Sequence, residues 1–243
     1  MKLSFKIFSS LALSSLLLLS PLHTDAKAIV NPDGSQPLIH WAILRSTDGE
    51  MKNMQNMAAK HVAPYSAKED GTYIIYGGID KNNPNIQRLL EIYKDENAYQ
   101  IHRSSEGFKQ YQIARATILE ELRIMEVNPV VMETQEQGTG NYIITTKIEV
   151  RPEALADFKK DLTELVKTSI QKNPDILAIM ATSEKENPNI LHILEVYKDA
   201  TTHADFINSP EYINYERLTR YMINSKIHIE YLPTDITLSN KPQ

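Results

Sequence analysis

Cysteine is missing altogether from this sequence. No disulfide framework, thiolate metal site or lipidated cysteine can therefore form. No glycine-rich nucleotide loop and no Gly-x-Ser-x-Gly elbow occurs, which sets aside the common nucleotide-cofactor and hydrolase classes. The seven histidines include no i, i+4 pair, so zinc binding is not expected and no metal site is assigned. Basic residues are outnumbered, 26 against 31 acidic ones, and no basic stripe is left to hold nucleic acid. After residue 20 no apolar run approaches the roughly 20 residues of a spanning helix.

What is present begins with an address. Lys2 and Lys6 precede an uncharged, leucine-rich run from Ile7 to Ser20, and Ala26-Lys27-Ala28 follows as a small-x-small cleavage pattern. Residues 1–28 are expected to be a secretory signal peptide, giving an exported protein of the periplasm or the extracellular medium. Removing Lys2, Lys6, Lys27 and Asp25 leaves 23 basic and 30 acidic residues, a net charge near −7.

The rest of the chain states one pattern twice. Asn83-Pro84-Asn85-Ile86, Leu90-Glu91 and Tyr93-Lys94-Asp95 recur as Asn187-Pro188-Asn189-Ile190, Leu194-Glu195 and Tyr197-Lys198-Asp199, each 104 residues later (187 − 83 = 104). Nine identities fall in a thirteen-residue window where chance gives roughly one. Two domains are expected, 37–133 and 141–238, joined by a short polar linker at 134–140.

One reading serves both copies. Leu38 to Arg45 alternates as a strand, with Ile39, Trp41 and Ile43 on one face. Glu50 to about Ser66 reads as a helix with Met51, Met54, Met57, Ala58 and His61 along one stripe. Thr72 to Ile79 and Ile86 to Tyr93 form a hairpin around a turn-rich sextet. Asp95 is placed to cap a helix whose inward stripe is Ala98, Ile101 and His102. A second helical segment carries Phe108 and Tyr111, and a strand from about Leu122 to Met132 contains Pro129, the mark of a bend or edge. The order β-α-β-β-α-β is the ferredoxin-like unit, an α+β fold. Its open sheet face needs a cover, which a second tethered copy supplies.

These residues carry a resemblance. His61-Val62-Ala63-Pro64, Glu69-Asp70-Gly71, Tyr73 to Tyr76, Leu90 through Asp95, then Ala98, His102, Ser104 and Phe108 are similar to the antibiotic biosynthesis monooxygenase (ABM) domain. The second copy keeps Glu195, Tyr197, Lys198, Asp199, Ser209 and Tyr212, yet has Phe206 where the first has His102 and Asn173-Pro174-Asp175 where the first has the Glu-Asp-Gly turn. The resemblance implies a dimeric α/β barrel, here two sheets packed face to face within one chain, with the working site in copy one. It further implies oxidation of a small aromatic such as a quinol by dioxygen without a cofactor. The alternative it leaves open is a non-catalytic module binding haem or another hydrophobic molecule, and further self-association is also open.

Candidate residues follow from chemistry. His102 could take the proton of a phenol near neutral pH. Trp41, Tyr76 and Phe108 are candidate substrate-binding walls, although core packing explains a strand aromatic equally well. Glu91 and Glu195 are identical in both copies and are expected to pair with a neighbour or cap backbone amides. Met51, Met54 and Met57 are expected in the core rather than in a pocket.

Overall fold

The computed structural model describes residues 27–135, 140 and 142–232. Copy one contains β2 (Leu38–Ser46), α1 (Met51–His61), α2 (Ala63–Ser66), β3 (Thr72–Asp80), β4 (Ile86–Tyr93), α3 (Glu96–Ser104), α4 (Glu106–Arg115) and β5 (Leu119–Thr134). Copy two repeats the order with β6 (Tyr142–Val150), α5 (Leu155–Lys172), β7 (Ile176–Glu184), β8 (Ile190–Tyr197), α6 (Ala200–Ile207), α7 (Pro210–Thr219) and β9 (Ile223–Leu232).

The strands run in the order β5-β2-β4-β3-β9-β6-β8-β7, and β7 returns to pair with β5, so the eight close into one antiparallel barrel. Closure removes the sheet edges that each open unit would leave unpaired. The seam from β5 to β7 runs from Val127↔Glu184 to Thr134↔Ala178 with a register shift at Pro129, a residue that cannot donate to the ladder. The opposite seam pairs Ile79 with Leu232 and Asp80 with Tyr231. Ile39, Trp41, Tyr76, Leu90 and Ile92 of copy one meet Ile143, Met180, Leu194, Val196 and Tyr231 of copy two inside the barrel.

Helices cover the outside of each sheet. The expected helix over 50–66 is in fact two, broken at Val62, because Pro64 has no N–H to continue the ladder. Its counterpart α5, with Thr168 at the matching place, runs unbroken for 18 residues. Asp95 caps α3 as expected, its carboxylate accepting from the Ala98 N–H at 2.8 Å. Ile101 departs from expectation: Ala98 and His102 face inward, one turn apart, while Ile101 points to solvent.

The termini of the expected domains differ in detail. Residues 1–26 of the expected signal peptide lie outside the described residues, and Lys27–Ala28 form a two-residue strand, β1, against Glu133 and Thr134. Of the expected linker, Thr134 ends β5 because that strand extends to pair with β7, and Gln135 donates its N–H to the Leu177 carbonyl at 2.8 Å. Residues 136–139, 141 and 233–243 lie outside the described residues. Among those described, no helix is long and apolar enough to cross a membrane.

Candidate active site

Strand alternation decides which side chains meet the helices. In copy one, Ala42 and Leu44 of β2, Ile75 of β3, Leu89, Glu91 and Tyr93 of β4, and Leu122 and Ile124 of β5 face outward toward α1–α4. Their odd–even partners, Trp41, Tyr76, Leu90 and Ile92, face the barrel interior.

Between the outer sheet face of copy one and its helices lies a cavity of about 450 Å³. That is within the range of small-molecule sites, roughly 300–1,000 Å³. The same place in copy two holds only about 20 Å³. Substitution accounts for the difference. Ala58, Ser66, Thr72 and His102 of copy one become Leu162, Ile170, Ile176 and Phe206, and those larger groups lie in the copy-two core. The Phe206 ring sits 5.8 Å from Tyr197 and 5.1 Å from Tyr212, filling what the first copy leaves open.

His102 is buried in the cavity wall, with its ring 5.1 Å from Phe108 and 5.5 Å from Tyr93. Its Nδ1 lies 2.8 Å from Glu69 Oε2, and the same oxygen accepts from Thr72 Oγ1 at 2.7 Å. A carboxylate accepts only, so the contact assigns Nδ1–H to the neutral ring and leaves Nε2 as the basic nitrogen. This is the arrangement of an oriented general base, with an anion ready to stabilise the imidazolium. In copy two the position of Glu69 is Asn173, whose Oδ1 accepts from the Asp175 N–H at 2.9 Å as part of a turn.

Glu91 lines the same cavity. The Tyr93 hydroxyl donates to its Oε2 at 3.2 Å. Burial pushes its carboxyl above the usual range, with nearby His102, the Tyr93 hydrogen bond and Arg115 acting against that. The Tyr93 hydroxyl is pushed well up by burial and by that carboxyl. The matching Glu195, enclosed by the filled core of copy two, is pushed up to about 7 by burial. Arg115, Lys52, Arg103 and a set of amides complete the polar lining.

The structure brings His102 and Phe108 together in this wall and places Trp41 and Tyr76 elsewhere. Both of the latter project into the barrel, and neither lines the cavity. Trp41 donates its Nε1–H to Thr182 Oγ1 across the seam between copies at 3.1 Å. Tyr76 is buried in the barrel, which pushes its hydroxyl up to about 12. Met51 and Met54 lie in the core beneath α1. Of the other charged residues at the site, Glu91 is expected from the sequence to pair with a neighbour, Glu69 enters there only as part of the Glu-Asp-Gly turn, and Arg115 carries no sequence signal. For Glu91 the signal was present: a carboxylate on a strand among apolar neighbours is costly to bury without a use.

The architecture is shared with solved structures. A candidate monooxygenase from Lactobacillus acidophilus superposes with a TM-score of 0.77 at 20% identity, covering 84% of this chain and 97% of the other. One from Fusobacterium nucleatum gives 0.74 at 20%, covering 85% and 98%. An anthrone oxidase-like protein gives 0.57 at 10% identity over 89% and 98%. The fold they share with this chain is an α/β barrel of two ferredoxin-like units, here built within one chain. Residues 141–217 match the family model of the antibiotic biosynthesis monooxygenase domain. That match falls on copy two, whereas His102 and the Glu69-Asp70-Gly71 turn of the resemblance lie in copy one. No curated protein sequence matches the chain.

Proposed function

We propose that the protein is an exported, cofactor-independent monooxygenase acting on a small aromatic such as a hydroquinone, with its site in copy one. The observation that carries this reading is the Glu69–His102 pair in the wall of an open cavity, set against a second copy that lacks both residues and the space. The chemistry balances with dioxygen as the only oxidant. His102 Nε2 takes the proton of a substrate hydroxyl, and the resulting anion passes one electron to dioxygen. The substrate radical and superoxide join through a new carbon–oxygen bond. The ring carbon loses its proton and the oxygen–oxygen bond breaks, releasing water and leaving a carbonyl. A hydroquinone and dioxygen thus give a hydroxyquinone and water. Glu69 stabilises the imidazolium while it holds the proton.

Export rests on the charged and apolar pattern of residues 1–28. The test is oxygen uptake by the purified protein with a panel of hydroquinones and a metal chelator present, comparing wild type with His102→Ala. Uptake that survives the chelator and is lost in the variant is the expected result. No uptake above autoxidation, together with a Soret band on haem titration, would instead identify a binding module.

A further inference from the structure

Arg115 ends α4 and is only 5% exposed, yet it is among the residues that line the cavity. It lies 4.5 Å from the Tyr111 ring centroid, a cation–π contact that covers one face of the group. Among the described residues no carboxylate lies within ion-pair distance of it. Glu91 is near enough to feel its charge but forms no ion pair with it. Buried charges in proteins are ordinarily paired, because an uncompensated one costs several kcal/mol. Copy two again supplies the contrast. The matching residue is Thr219, whose hydroxyl donates to the Tyr215 carbonyl at 2.9 Å and which does not line the small space of copy two. The arginine and the open space occur together.

We infer that the cavity is built for an aromatic substrate bearing an anionic oxygen group, a carboxylate in the first instance, seated on Arg115 while its ring hydroxyl is presented to His102. This rests on the proposed oxygenase reading for the second half of the statement and stands without it for the first. A guanidinium fork matches a carboxylate with two parallel N–H···O bonds, which would fix the ring's orientation as well as its affinity. Phe108, Tyr93 and Tyr99 supply aromatic walls for the ring. Arg115 is then a specificity residue: it discriminates among substrates by their charge and takes no proton.

The experiment is calorimetric titration of the protein with gentisate and with neutral hydroquinone, which differ by one carboxylate. Wild type is expected to bind gentisate about 10- to 100-fold more tightly, the range of a charged hydrogen-bonded pair. Arg115→Met keeps a long side chain over Tyr111 and should abolish that preference while leaving hydroquinone binding within a few-fold. Arg115→Lys, which keeps the charge without the fork, should retain part of it, and melting curves confirm that both variants fold. Equal affinities for the two ligands in wild type, or a preference that persists in Arg115→Met, would overturn the inference. Oxygen uptake in the same samples keeps the two readings apart. Selective gentisate binding without uptake defeats the oxygenase and leaves the anion site, and uptake with no charge preference does the reverse.

Discussion

Glu69 and His102 lie 33 residues apart in the chain and 2.8 Å apart in space, where the loop before β3 meets the last turn of α3. A carboxylate that accepts from Nδ1–H fixes the tautomer that leaves Nε2 unprotonated. Glu69→Gln keeps an acceptor for the Nδ1–H but removes the charge. Oxygen uptake with hydroquinone should fall by about 10- to 100-fold, below most of the roughly 10²–10⁴-fold that a positioned acid–base group contributes, because His102 itself remains. The initial rate at saturating substrate measures this, and a rate equal to wild type would remove Glu69 from the mechanism.

The cavity exists because copy one has small residues where copy two has large ones. Ala58→Leu reproduces the Leu162 of the filled copy. Ligand binding should be lost, while the melting temperature should rise, since the added methyl and methylene groups are removed from water at about 0.8 kcal/mol per buried carbon. Titration and thermal denaturation of one sample test both halves. A variant that still binds would place the ligand elsewhere.

Glu195 gives the second copy a pH signature. Its carboxyl has an ordinary value of 4.5 and is pushed up to about 7 in the fold. Below pH 4.5 it is neutral folded or unfolded, and no penalty arises. Between pH 4.5 and 7 the unfolded chain gives up this proton while the buried carboxyl keeps it, so stability falls across that window, by about 3 kcal/mol at most, and levels off once the folded group ionises near 7. Glu195→Gln should therefore match wild type near pH 4.5 and become the more stable protein by pH 8. Denaturant midpoints across that range would show a constant difference if Glu195 were not the cause.

Trp41 ties the copies together rather than touching the cavity. Trp41→Phe removes its Nε1–H donor to Thr182 and part of the ring volume, which should cost about 1–2 kcal/mol. Gentisate or hydroquinone affinity should not change. A loss of affinity without a loss of stability would return Trp41 to the binding site.

The repeat, the order of elements and the barrel could be read from residue order, because they depend on local periodicity and on a sheet face that must be covered. His102 could be read too, one helical turn after Ala98. The faces of the strands could not. A strand between a barrel interior and a helix layer is buried on both sides, as β3 is at every position but Ile75, so alternation separates Trp41 from Ala42 without saying which side holds the cavity. Tyr76 was misplaced for the same reason. The cavity itself is a deficit of side-chain volume, visible only when Ala58 and Ser66 are set against Leu162 and Ile170. Glu69 meets His102 only through the tertiary fold.

Closure of the barrel through β5 and β7 of a single chain has one more effect. Two identical subunits must carry every substitution in both halves, so a bulky residue that steadies one site blocks the other. A chain that contains both halves is free of that symmetry. One half can be packed solid and serve as a rigid foundation, and the other can keep a void and a buried cation that would be a liability if doubled.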